Sequence, residues 1–553
     1  MLTVIINWIY ILFTLFCLGF GFSQFSGKVL RYSLKRTDSI LLAGLVATTI
    51  YSQVFSLFYR VSIEANILLL TVCVVICMIM GRKMAGFLKG IWQNCSLCHK
   101  VLLLLIFLVW AYFTSRGYMV PDMDLYHGQS IRWIEEYGVV KGLGNLHGRF
   151  GYNSSLFAVS ALYGMRFWLG RSMHAVNGFI AFLLSMAVLD LGRCFRRRKM
   201  LLSDYARVGA VYYLTTIWDE LIAPSSDYAV MCTIFLVVIK WLAQLEEEDR
   251  EARDHIAPYA LLCVVCVFAL TLKVSAGLIL IFVLKPAYRL LKEKRWKEIA
   301  VYLLLGLSAA LPWIARTVLI TGWLFYPFPY LDLFPVDWKI RNVGDIKSDA
   351  WLIKAWAKGA NQLGTEIRLH IWFPNWFQNV LFPTEKILIL ADVVSCAVAA
   401  GLAVHTFIKK NWKKLDMLLV LAVVGCSYLF WQFTAPMMRY GYAYVLLLAA
   451  LVFGYMAEKL KLARIVYVFF LLYGLYKVQV GCKYIAGSCQ VPNYVWQETY
   501  GDYELESYEI QGVTFYYSPY DGPTGYDPFP SAPMPVYDLK LRGDGLRDGF
   551  RRE

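Results

Sequence analysis

Charge is scarce in this chain. Only 17% of its 553 residues are Asp, Glu, Lys or Arg, against roughly a quarter in an average soluble protein. Apolar residues make up 59% and the mean hydropathy is +0.52, so a soluble fold could not cover its own surface. Three familiar patterns are also missing: a P-loop, a dinucleotide glycine fingerprint and a Ser-His-Asp nucleophile elbow. No nucleotide site is therefore in view, and Gly142-Leu143-Gly144 reads as a turn. The first apolar run lacks a basic lead and a small-residue cleavage site, and reads as a retained helix. Cys95-Ser96-Leu97-Cys98-His99 matches the c-type haem attachment pattern. The orientation derived below puts it on the cytoplasmic side, where haem is not attached, and a zinc site would need a second ligand pair. It reads as two free thiols.

What the chain does have is apolar runs of roughly 17–22 residues, the length that spans a bilayer as helix. They predict an all-α polytopic membrane protein with about 14 transmembrane helices. Expected crossings lie at 4–24, 39–59, 64–80, 100–116, 175–191, 203–221, 228–245, 256–272, 274–289, 299–319, 385–408, 415–433, 440–457 and 463–479. The net charge of +15 does not call for nucleic acid. Most Lys and Arg sit in short loops between apolar runs, where they set orientation. Lys28, Arg31, Lys35 and Arg36 place the first loop inside. Arg193, Arg196, Arg197, Arg198 and Lys199 stay inside only if one of the runs before them does not cross. Leu156–Leu169 is therefore expected as an amphipathic helix in the outer interface, with Asn153 and Ser154 as caps. Residues 1–480 form the membrane domain, with outer loops 117–172 and 320–382. Residues 481–553 form a small extracytoplasmic tail, in which Cys482 and Cys489 could be joined as a disulfide.

The polar residues gather in the first outer loop, Met119–Ser155. Asp122 and Asp124 can hold a divalent ion, Mg2+ or Mn2+, or one can act as general base while the other fixes geometry. Tyr126, His127, His147 and Arg149 offer donors for phosphate oxygens or sugar hydroxyls. Lys273, between two apolar helices, is expensive there unless paired or functional. Asp227 shares an outer loop with Asp219 and Glu220 and can face the same site. Arg439 is a lone cation on a side where positive residues are sparse, which suits anion recognition.

Several segments resemble a bacterial multi-pass membrane family, and the layout resembles the GT-C class of integral membrane glycosyltransferases. The segments are Asp124-Leu-Tyr126-His127, Trp133-Ile-Glu-Glu-Tyr-Gly138, Gly142-Leu-Gly-Asn-Leu-His147-Gly-Arg149 and Asn153-Ser-Ser155. Leu272-Lys273-Val274-Ser275, Ala435-Pro436 with Arg439, Asp527-Pro528-Phe529-Pro530 and Leu541-Arg542-Gly543 are similar as well. The resemblance implies a polyprenyl-phosphate-linked sugar donor and a glycan or lipid acceptor. Transfer would take place on the outer face of the plasma membrane, with one loop acid as base or metal ligand. That role would fall to Asp124 first and Asp122 second, with Lys273 and Arg439 on the phosphate. A lipid-linked glycan flippase and a polysaccharide polymerase or ligase are the alternatives.

Overall fold

The computed structural model describes residues 1–117, 119–197, 199–251, 256–359, 368–410, 414–488 and 494–552. Among them, eleven helices are long and apolar enough to cross a membrane. They are Leu2–Val29, Thr37–Phe58, Ile63–Asn94, Leu97–Ser115, Ser226–Glu248, Val274–Lys292, Trp296–Thr321, Pro383–Ile408, Leu415–Thr434, Tyr442–Lys459 and Arg464–Ser488. The protein is a polytopic helical membrane protein. Three further expected crossings fold as shorter helices, Val176–Gly192, Leu202–Thr216 and Ile256–Leu272.

Burial sorts the helices into centre and rim. In Ser226–Glu248, 78% of the apolar window is covered by protein, whereas in Arg464–Ser488 the figure is 6%. The first therefore lies at the hub and the second is left to face lipid. Ile63–Asn94 runs well past the expected 64–80. At 1.5 Å per residue its 32 residues span about 48 Å, more than the hydrocarbon layer of about 30 Å. Arg82, Lys83 and Lys89 thus ride on helix beyond the apolar core rather than in a loop.

The surface helix expected over 156–169 is a correction. Ser155–Tyr163 is a helix in which every residue is buried, packed between Thr37–Phe58 and Gly128–Tyr137. Its residues are apolar or small on all sides, and a helix of that kind belongs inside a protein rather than on an interface. Only the short turn after it, Arg166–Leu169, is exposed, with Trp168 at 75%.

One end of the helices carries the Met119–Ser155 stretch, the segment 217–225, Lys273, the loop 435–441 and the tail; it is called the site face here. The opposite end is tied by buried ion pairs. Asp38 takes Arg36 at 3.1 Å and Lys240 at 2.7 Å. Asp204, fully buried, takes Arg197 at 2.7 Å and Arg207 at 2.8 Å. Lys285 joins Glu248 at 3.1 Å to Asp416 at 3.0 Å.

The tail departs from the helical pattern. Strand β1 (Glu506–Ile510) pairs antiparallel with β2 (Val513–Tyr517), and β2 pairs parallel with β3 (Ser531–Ala532). Strands β4 (Leu539–Leu541) and β5 (Phe550–Arg552) form a second antiparallel pair. The β1–β2 turn, Gln511-Gly512, has φ of +49° and +82°, as a two-residue primed hairpin turn needs. The tail's Ile510, Phe515, Leu539, Leu541 and Phe550 share one core with Trp133, Val140, Leu143, Leu146 and Phe150. Tail and first loop are thus built together. Cys482 is a free, exposed thiol, and Cys489 lies outside the described residues.

The first two helices touch backbone to backbone. A Cβ at Gly44 would sit 2.0 Å from the Leu15 carbonyl oxygen, and one at Gly19 would sit 1.9 Å from that of Ile40. Small residues let backbones touch where no hydrophobic gain drives helices together. Gly44→Leu should therefore cost on the order of 1–3 kcal/mol, read as a lower unfolding temperature in detergent. Gly81→Leu, where an added Cβ meets nothing within 4 Å, should leave that temperature unchanged. Equal effects would contradict the packing.

Candidate functional site

The motif loop is helical from its start. Pro121 opens the helix, a position where its missing N–H is not needed. The turn Met123–His127 is a π-turn, closed by Gly128 N–H donating to the Met123 carbonyl. Such widened turns are frequent at functional sites. The i→i+5 spacing keeps Asp122 and His127 on one side. Asp124 faces the other way, because residues two apart on a helix do not share a face.

That geometry separates the two aspartates. Asp122 is an ion-pair hub: Arg439 Nη2 lies 2.5 Å from its Oδ2 and Arg149 Nη1 3.5 Å from its Oδ1. Arg439 reaches on to Asp227, with Nε 3.4 Å from Oδ2, and Lys273 Nζ pairs with Asp227 Oδ1. Lys273 and Arg439 both pack on the Tyr440 ring, at 3.7 and 5.2 Å from its centroid. Arg149 lies 5.7 Å from the Tyr126 ring and 5.8 Å from that of Trp356. Three cations thus meet two carboxylates.

Each member is held by its own element. Asp227 sits in the first turn of its helix, where a carboxylate complements the dipole. Asn177 fixes the loop before it by donating to the Ala223 and Ser225 carbonyls at 2.7 and 2.8 Å. Lys273 follows Ile256–Leu272 in an extended conformation, after which the chain turns into 3-10 helix. Arg439 lies in the 3-10 turn Met438–Tyr440. That loop is pinned by Trp376 Nε1 donating to Pro436 O and Trp431 Nε1 donating to Met437 O, each at 2.9 Å. Asn153 anchors the end of the motif loop, donating to the Trp313 carbonyl at 2.9 Å and accepting from Arg316 Nε at 3.0 Å.

Electrostatics follow the geometry. Burial acts to raise the Asp122 carboxyl, but His127, Arg439 and Arg149 outweigh it and hold it below the usual carboxylate range. Burial lowers His127 to about 4, against the pull of Asp122 and Asp227. Its imidazole is neutral at pH 7, and its buried Nδ1 has no hydrogen-bond partner.

Of the residues expected at the site, Asp122, Tyr126, His127, Arg149, Asp227, Lys273 and Arg439 come together. Asp124 and His147 do not. The Asp124 carboxylate accepts from Gly501 N–H at 3.3 Å, and its carbonyl accepts from Thr524 and Gly525 N–H at 3.0 and 2.9 Å. Burial holds that carboxyl above the usual range, while Tyr503 and the Gly501 amide act the other way. Asp124 is thus a clasp for the tail. His147 caps the turn Gly148–Gly151, its Nδ1 accepting from Arg149 N–H at 3.3 Å. Burial and the charges of Arg149 and Arg552 lower it to about 3. Asp122 and Asp124 also do not fit one Mg2+ or Mn2+. They point apart, and Asp122 already faces two guanidiniums. Among the described residues no three His, Cys, Asp or Glu side chains form a ligand set.

Tyr440, Trp356 and Tyr152, whose ring lies 6.3 Å from that of Tyr126, are additions to the expected set. Tyr440 was adjacent to Arg439 in sequence. The other two carry no signal beyond their aromatic character. Trp356 belongs to the helix Val343–Ala357, so the 320–382 loop does reach the site.

Behind the site, Glu135 joins loop to tail. Ser172 Oγ donates to it at 2.6 Å and Tyr526 Oη donates to its other oxygen. Burial raises the Glu135 carboxyl from 4.5 to about 7, against those bonds. A raised acid favours the folded state most below its unfolded value. Tail docking should thus be firmest below about pH 4.5 and weaken as pH rises through about 7. Limited proteolysis of the tail should speed up roughly tenfold or more across that window. Glu135→Gln should flatten the dependence; a variant with the unchanged pH profile would contradict this.

A family model described as "Domain of unknown function (DUF8201)" matches residues 1–446. Every member of the charge cluster falls within the matched region, and the tail strands fall beyond it. No curated protein and no solved structure matches the chain.

Proposed function

The chain belongs to the family of that domain of unknown function, DUF8201, and we propose that it is a GT-C-like membrane glycosyltransferase. The donor is a polyprenyl-phosphate-linked sugar, and the acceptor is a cell-surface glycan or lipid. The observation that carries this reading is the cluster in which Arg439 bridges Asp122 and Asp227, with Arg149 and Lys273 at its ends. These three cations gather at the membrane end of the helices, each within reach of a carboxylate, with Glu220 in the field of Arg439 and Asp227. A lipid phosphate offers these cations a competing anion, and guanidinium groups take phosphate oxygens in pairs.

The reaction uses an exchange of partners. The incoming phosphate competes with Asp122 for Arg439 and Arg149. Released from those cations, the Asp122 carboxylate becomes more basic and accepts the proton of an acceptor hydroxyl. The hydroxyl oxygen bonds to the sugar C1. The bond from C1 to the phosphate oxygen breaks, and the lipid phosphate leaves with the electron pair. Arg439 and Lys273 hold the charge that develops on it. Neutral His127 and Tyr440 hold hydroxyls or phosphate oxygens by hydrogen bonds. Trp356 and Tyr326, the latter buried with its ring 5.5 Å from that of Tyr152, both come from the 320–382 loop and help to keep water out. Asp122 takes the base role that the sequence offered first to Asp124, since Asp124 is engaged with the tail. Lys28, Lys35, Lys409 and Lys410 lie toward the opposite end, which supports an extracytoplasmic site face in the plasma membrane by the positive-inside rule.

The test is incubation of the purified protein with polyprenyl-phosphate sugars, followed by mass analysis of lipids and glycans. Asp122→Asn should lower transfer by about 10²-fold or more, the usual worth of a general base. Asp124→Asn should keep transfer within a few-fold of wild type. Full activity in Asp122→Asn, or no transfer by the wild-type protein from any donor of this class, would end the proposal.

A further inference from the structure

One carboxyl lies far from this site, inside the membrane. Asp392 is nine residues along Pro383–Ile408, about 14 Å from the site-face end of that helix. That depth is near the middle of a hydrocarbon layer of about 30 Å. Most of the helix faces lipid, with only 17% of its apolar window covered. Its buried side chains are Glu385, Ile389, Asp392, Ser395 and Thr406, a stripe at helical spacing. The helix packs against Leu415–Thr434 and Tyr442–Lys459.

Asp392 is fully buried, and neither carboxyl oxygen has a hydrogen-bond partner. The backbone at Ala449 comes up to the carboxyl without closing a full hydrogen bond. Among the described residues no Lys, Arg or His pairs with it. The titratable groups that share its field are Tyr428 of one facing helix and Cys396 of its own. Ser395 Oγ of its own helix and Gln432 Nε2, one turn from Tyr428, are buried and have no partner. Toward the site face, Glu385 accepts from Tyr442 Oη at 2.8 Å. His405, Asp416, Glu458 and Lys459 lie toward the far end of these helices. A carboxylate ion with no counter-charge and no donor would bear the full cost of leaving water. A proton removes that cost.

We propose that Asp392 is an intramembrane proton-binding site. Its carboxyl holds a proton at neutral pH and exchanges it with water through the polar stripe. The Ser395 hydroxyl and the Gln432 amide provide hydrogen-bonding positions for that exchange. The site stands apart from Asp122, and its fate is independent of the sugar-transfer reading.

Infrared spectroscopy of the full chain in reconstituted bilayers reads the proton directly. The wild-type protein at neutral pH should show the carbonyl stretch of a protonated carboxyl. The Asp392 component of that band should shift in heavy water and be missing in Asp392→Asn, while that of Glu135 stays. Isotope labelling of aspartate carboxyl carbons adds a second variant, Asp392→Glu, which keeps the acid and should take the band out of the labelled set. Loss of ionised-carboxylate bands alone in Asp392→Asn, a labelled acid band that survives Asp392→Glu unchanged, or a band that never shifts in heavy water would overturn the proposal.

Discussion

The chain of charges Arg149–Asp122–Arg439–Asp227–Lys273 is the constraint around which the site face is arranged. Its members come from positions 122 to 439, and each sits at a helix end or a short turn. Half-buried charges are stable only in company: removing one partner leaves its neighbour desolvated and unpaired. The loops that carry them are accordingly fixed by other means first. Trp376 and Trp431 hold the 435–441 loop, Asn177 holds the 217–225 segment, and Asn153 holds the end of the motif loop. The cluster is preorganised by hydrogen bonds to backbone carbonyls that do not themselves take part in it.

The tail gives the motif loop its second wall. Asp124, Gln129, Arg132 and Glu135 all bond to it. Gln129 Nε2 donates to Tyr526 O at 3.0 Å, and Arg132 Nη1 donates to the same carbonyl at 2.8 Å. One face of the helix Gly128–Tyr137 and its π-turn therefore addresses the membrane-end charges while the other addresses the tail. The start of the chain joins the same assembly, since Leu2 and Thr3 N–H groups donate to Tyr494 and Val495 carbonyls at 3.0 Å. Movement of the tail would be felt at Asp122 through a single helix.

Much of this was legible in the sequence, for identifiable reasons. Apolar runs of bilayer length have few other fates, so the helices were readable. Lys273 and Arg439 stood out because a cation in apolar or sparsely charged surroundings needs a partner. The spacing of Asp122 and Asp124 misled because it was read as two carboxylates serving one point. On a helix opened by Pro121, residues two apart diverge, and the pair becomes one site residue and one clasp. His147 has the side chain of a ligand but the position of a cap. Leu156–Leu169 was assigned to an interface from a topology argument, although its all-round apolar character pointed inward. The docking of the tail was not legible: much of it runs through main-chain N–H and C=O groups, such as Thr524 and Gly525 on Asp124, which leave no mark on residue type.

The account rests on a lipid phosphate entering the charge cluster and taking Arg439 from Asp122. Phosphorus NMR of polyprenyl phosphate, titrated with the purified protein in bilayers, tests this most directly. Binding should be saturable in the wild-type protein, unchanged in Asp124→Asn, and weakened about tenfold or more in a folded Arg439→Gln. Equal binding by wild-type and Arg439→Gln proteins would contradict it.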